Sequence, residues 1–156
     1  MAVLFRWYDR ATLYMPNGTY EAGSPQVSIA SQALTVALLT SSYTFSASHN
    51  VYGDLTNELS TGGGYTSGGK AMTTIALTQA TTVSNLTADN VVWTASGGGI
   101  PAFRYAVCYI NATLNSIVKP LLFAIDNNGS DVPATTAPNT LTVTWNATGV
   151  FQVAHS

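Results

Sequence analysis

Residues 140–146 read TLTVTWN, in which Leu141, Val143 and Trp145 alternate strictly with Thr142 and Thr144. A period of two sends successive side chains to opposite faces of a pleated strand, whereas a helix would spread them around its axis. The segment is read as a strand with one face in a core and a threonine face turned outward. Further runs rich in Val, Ile, Thr, Tyr and Trp follow from Leu34 onward: LTVALLT (34–40), AMTTIALTQ (71–79), NVVWTA (90–95), AFRYAVCYI (102–110), VKPLLFAID (118–126) and VFQVA (150–154). Turn signals separate them, among them Gly97-Gly98-Gly99 and Asn128-Gly129. This succession predicts an all-β fold, an antiparallel β-sandwich or barrel of the jelly-roll or immunoglobulin-like kind. Pro120 cannot donate to a ladder, so an edge or a bulge is expected there.

A chain of 156 residues is long enough to bury one sizeable core. The first 33 residues differ in texture from the rest. Phe5, Trp7, Tyr8, Tyr14 and Tyr20 are crowded with Arg6, Asp9 and Arg10, and the polar stretch EAGSPQVSIASQ follows. We therefore divide the chain into an extended N-terminal arm, residues 1–33, and a single β-sandwich domain, residues 34–156. Between the strands, HNVYGDLTNEL (49–59) is expected to hold one irregular helical turn.

Charged residues make up 8% of the chain, the net charge is −2, and Lys and Arg together number five. So few cations exclude a basic stripe able to neutralise several phosphates, and with it sequence-independent nucleic-acid binding. A polybasic membrane patch is excluded for the same reason, and the longest apolar runs fall short of the ~20 residues of a membrane-spanning helix. Cys108, the one cysteine, lies within YAVCYI and is read as a buried, inert thiol. MAVLFRWYDR lacks the apolar core of a secretory signal, so the protein is expected to stay in the cytoplasm where it is made.

Four groups of residues invite a chemical reading. GYTSGGKA (64–71) approaches the phosphate-binding pattern G-x-x-x-x-G-K-[ST], but Ala71 stands where a hydroxyl should bind magnesium. Its neighbours are also wrong, since a Thr-rich strand follows in place of a helix, so a flexible turn leading into a strand is the better account. His49, Asp54 and Glu58 could form a metal or acid–base cluster, but the signal is poor, and a loop with a capping Asp and a solvated Glu is the better account of the same residues. No nucleophile elbow G-x-S-x-G occurs, so we expect no enzyme activity, no cofactor and no metal; a glycan hydrolase built on Asp54 and Glu58 is the weakest option. Tyr43, Tyr52 and Tyr65 could form a sugar-stacking platform, but tyrosine in β-proteins is more often packing with its hydroxyl at the rim. Arg104, a strand cation flanked by aromatics, should be paired, with Asp89 or Asp126, or sit at a rim or subunit contact.

The segment VALLTSSYTFSASHNVYGDLTNELSTGGGYTSGGKAM resembles a group of small structural proteins encoded near the capsid genes of tailed bacteriophages. The shared pattern is a strand ending in ALLTSSYT, a loop carrying His49, Tyr52, Asp54 and Glu58, and the turn Gly64-Tyr65-Thr66 with Gly68-Gly69. NVVWTA, FRYAVCYI, LLFAID and TVTWNATGV continue the likeness, which spans about residues 34–153. Two features depart from the group's pattern: Phe45 replaces an expected proline, and residues 1–33 do not look like the usual short start. The resemblance implies a virion component, foremost a decoration or cement protein on the outer capsid. Its partners would be the major capsid protein and further copies of itself, as a homotrimer. The alternative is a head-fibre or tail module that binds host carbohydrate. Under either reading Phe5, Trp7, Tyr8, Tyr14, Tyr43, Tyr65 and Arg104 are the expected capsid or subunit contacts.

Overall fold

A computed structural model describes residues 3–14, 29–80 and 83–154. At its centre is a five-stranded antiparallel sheet in the order β1 (Leu4–Trp7), β10 (Leu121–Asp126), β7 (Tyr105–Ile110), β2 (Leu34–Leu39), β3 (Lys70–Ala71). A second sheet joins β12 (Phe151–Ala154), β5 (Val83–Thr87) and β4 (Ala76–Ala80). β6 (Val91–Thr94) pairs with β11 (Thr140–Val143), and β8 (Thr113–Leu114) forms a hairpin with β9 (Ile117–Val118). One short helix, α1 (Asp9–Tyr14), follows β1. The chain is an all-β antiparallel sandwich, and none of its described sheets closes into a barrel.

β2 and β7 are buried along their whole length because the central sheet is covered on both sides. Leu34, Val36 and Leu38 of β2 face one core together with Ala106, Cys108 and Ile110 of β7, while Ala37, Leu39, Tyr105, Val107 and Tyr109 face the other. The first core is closed by Trp93 of β6, Leu141 of β11 and Leu86 of β5, with Ile100 and Phe103. The second is closed by the loop of residues 40–59. A strand covered on both faces reads as a continuous apolar run, which is why LTVALL and YAVCYI lack the alternation of TLTVTWN. In the latter, Leu141 is buried while Thr142 and Thr144 are exposed, as its period of two predicts.

Two strands expected as single runs are interrupted. AMTTIALTQ divides into β3 and β4 at Thr74, whose φ of 52° lies in the left-handed region that a β-branched residue avoids. The corner is held by Asp89, which accepts from the hydroxyls of Thr73 (3.3 Å) and Thr74 (2.5 Å). VKPLLFAID divides into β9 and β10 around Lys119 and Pro120, and the β10–β7 register slips between Leu121 and Phe123. Through that slip Leu122 and Phe123 both enter the first core, so the irregularity expected at Pro120 re-aims a large ring. β5 escaped the sequence reading because, of VSNLT, only Leu86 is fully buried.

The N-terminal residues need a correction. Leu4–Trp7 are no detached arm: they form an edge strand in register with Phe123–Asp126 of β10. Tyr8 and Ala11 are fully buried, because α1 packs back onto β10. Of the expected arm, residues 1–2 and 15–28 lie outside the described residues, and residues 29–33 include the short 3-10 turn Ile29–Ser31.

Candidate functional site

Glu58, expected to be solvated, is instead the centre of a clasp. Its carboxylate accepts from the hydroxyls of Tyr52, Tyr65 (2.6 Å) and Ser67 (3.2 Å) and from the backbone N–H of Gly68 (2.7 Å). The Tyr65 hydroxyl also accepts from the Leu38 amide of β2 at 3.0 Å, and Tyr109 of β7 donates to the Gly68 carbonyl at 2.7 Å. One carboxylate thereby fastens the loop at 50–59, the glycine turn at 62–69 and two central strands. The hydroxyls stay protonated and so remain donors, since burial, followed by the hydrogen bond to Glu58, raises the Tyr52 and Tyr65 phenols well above their ordinary range. Burial, followed by the charge of Glu58, pushes Tyr109 up to about 12.

The same geometry explains GYTSGGKA. The Gly68 N–H, one of the donors a phosphate loop would offer a nucleotide, is directed at the chain's own anion, Glu58. The Gly69 amide turns back to the Thr66 carbonyl, and Lys70 Nζ donates to the Val92 carbonyl at 2.5 Å. The turn is closely packed against its neighbours. Gly69 has φ +78° and a Cβ there would lie 2.0 Å from the Val36 carbonyl oxygen; at Gly64, φ +97°, it would lie 2.1 Å from that of Thr94. The glycines are needed so that the turn can wedge between β2 and β6. An open depression of about 390 Å³ remains beside it, lined by Thr66, Lys70, Trp93 and Thr94.

Asp54 has the capping role expected of it, accepting from the amides of Asn50 (2.7 Å) and Val51 (3.0 Å) ahead of the 3-10 turn Tyr52–Asp54. These two bonds hold its carboxyl below the usual range. His49 serves neither Asp54 nor Glu58 as a co-ligand: its Nδ1 meets the Tyr43 hydroxyl at 2.9 Å, and Tyr43 meets the Tyr8 hydroxyl at 3.1 Å. Among the described residues, no three His, Cys, Asp or Glu side chains converge on a metal position. Cys108 is buried against Met72.

Of the expected contact residues, Tyr8, Tyr43 and Tyr65 are 0, 2 and 2% exposed, so they build the interior and cannot meet a capsid or stack a sugar. Trp7 is half-buried, edge-on to Phe123 and Phe151. Phe5 stacks on Phe123 at 4.5 Å yet keeps 40% of its surface exposed. The Tyr14 side chain lies outside the described residues. Arg104 has the partner expected of it, Asp126, at 2.9 Å. Sequence reading missed the second cation on that carboxylate, Arg6 of β1, at 3.0 Å. No local pattern announces a contact spanning 120 residues. Asp89, the other expected partner, serves the Thr73–Thr74 corner.

Phe45 and the N-terminal segment meet in space. The Phe45 ring lies 5.1 Å from that of Tyr8, and the Arg6 guanidinium stands 5.3 Å above Phe45. Phe45 is therefore the seat on which the N-terminal segment rests. None of the family models, curated proteins or solved structures compared with the chain matches it.

Proposed function

We propose that the chain is a structural virion protein, a decoration protein that binds between capsomers on a phage head and stabilises it. Its partners in this reading are the major capsid protein and further copies of itself, assembled as a trimer at local three-fold positions. The observation that carries the reading is the outer side of β1. Among the described residues it pairs with no strand there, and Val3, Leu4 and Phe5 are 57, 39 and 40% exposed beside it. An apolar sheet edge invites addition of a strand from a neighbour. The likeness of residues 34–153 to capsid-proximal phage proteins supplies the context, and the clasp gives its motif a structural role, that of a rigid platform for contacts made elsewhere.

The test adds purified protein to expanded, undecorated capsids of its phage and looks by cryo-electron microscopy for ordered density at symmetry positions. Density at three-fold or quasi-three-fold sites is expected, with occupancy reduced by Val3→Lys and Leu4→Lys together while the urea midpoint stays in place. Multivalent display over the lattice makes weak individual contacts effective, so the loss should be graded with protein concentration. A bare lattice would overturn the reading in favour of a fibre or tail module, for which glycan retention is then measured.

A further inference from the structure

Tyr8, Tyr43 and His49 form a hydrogen-bonded row whose direction depends on one proton. The Tyr8 hydroxyl lies in a fully buried residue and has Tyr43 as its hydrogen-bond partner. The Tyr43 oxygen also interacts with the Ser46 amide. A phenol has one hydrogen to give and two lone pairs to receive with. With Ser46 N–H and Tyr8 O–H donating to Tyr43, both lone pairs are filled, and its own hydrogen goes to Nδ1 of a neutral His49. Each hydroxyl hydrogen in the row then has an acceptor. Protonated imidazole donates from both nitrogens, so its Nδ1–H must enter Tyr43, whose hydrogen turns back to Tyr8. The Tyr8 hydrogen is then stranded in the core, and a buried unsatisfied donor is costly.

We propose that this row is a proton-sensitive latch: it fastens the N-terminal segment, residues 3–14, to the loop at 40–49 while His49 is neutral and loosens it when His49 is protonated. The latch lies beside a direct backbone tie, the Asp9 amide donating to the Ala47 carbonyl at 2.9 Å. The ionisable groups around it come from every element packed there: Tyr8 and Arg10 from the N-terminal segment, Tyr105 from β7, whose ring stands edge-on to Tyr43 at 5.2 Å, and Asp54 from the following turn. Asp54 interacts with both His49 and Arg10, so an imidazolium would face a carboxylate as well as the hydroxyl row. Histidine is the side chain whose unperturbed charge change falls between pH 5 and 8, so protection is compared across that window.

The experiment is hydrogen exchange of the full chain, corrected for the intrinsic pH dependence of exchange, read at the Asp9 amide. Protection at pH 8 should exceed that at pH 5 by roughly tenfold. His49→Gln, which offers Tyr43 an acceptor that does not titrate here, should hold protection high at both pH values. Tyr43→Phe, which cuts the row between Tyr8 and His49, should give protection that no longer changes with pH. A wild-type profile parallel to that of His49→Gln, or a pH response that survives Tyr43→Phe, would overturn the proposal. Should His49→Gln fail to fold, the Tyr43→Phe comparison decides alone.

Discussion

The two faces of the central sheet are closed by different physics. One is covered by other strands and filled with Leu, Phe, Trp, Ile and Val; the other is covered by an irregular loop and lined by Tyr8, Tyr43, Tyr105 and Tyr109. Strands satisfy their own backbone groups in ladders, so an apolar layer suffices between them. A loop laid over a sheet must find partners for its backbone and hold one conformation, and here phenol hydroxyls and the carboxylates of Glu58 and Asp54 supply them. Tyrosine suits this face because its ring fills the layer and its hydroxyl reaches the loop.

The sharpest way to break the contrast is to damage each face in turn under urea. Phe123→Ala removes a fully buried ring in contact with Phe5, Trp7 and Phe151, and should cost about 4 kcal/mol, shifting the midpoint with the slope unchanged. Glu58→Ala should cost about 3 kcal/mol by leaving two phenols and the Gly68 amide without their acceptor. The second loss differs in kind: hydrogen exchange should quicken first at Gly68 and Leu38 while the apolar face stays protected. Equal loosening of both faces in the Glu58 variant would abolish the distinction.

Asp126 lies where β1, β10 and β7 meet, and its response is set by pH. Burial works to raise its carboxyl, but Arg104, Arg6 and the Gly129 amide together hold it below the usual range. A depressed carboxyl stabilises the fold at pH above the ordinary carboxylate range, and that contribution disappears as pH falls through the depressed value. Wild type should therefore lose stability on acidification below about pH 4, and Asp126→Asn should lack that component. At pH 7 the substitution should cost about 2 kcal/mol by urea titration, less than a buried pair would, because both guanidinium groups are partly in water. The smallest effect belongs to Val118→Thr in the β8–β9 hairpin, where 58% of the residue is exposed: a change within about 0.5 kcal/mol.

Sequence patterns foretold the strands wherever local chemistry and tertiary environment agree. TLTVTWN shows its exposed face, YAVCYI its double burial, and Pro120 its irregularity. The Arg104–Asp126 pair was legible because a strand cation among aromatics demands an anion. The clasp was not, since nothing near Glu58 says that Tyr52, Ser67 and the Gly68 amide all turn toward it. Sequence reading places Tyr8 and Tyr65 at the surface for a related reason: in sequence, a tyrosine that stacks on a partner and one that stitches a loop look alike. β1 was missed because LFRW has no period of its own and becomes a strand by pairing with residues that follow more than a hundred positions later.

That long separation bears on the order of events at the ribosome. β1 is made before its neighbour β10, and Arg6 waits 120 residues for Asp126. Until then Val3, Leu4, Phe5 and Trp7 travel as an apolar tail without a sheet to join, and the closing of so large a loop is a slow step. The nascent chain can pair β2 with β7 before β1 finds its place on β10. A chaperone that shields short apolar segments would find its target in this interval, and translation speed through residues 105–126 would set how long the interval lasts.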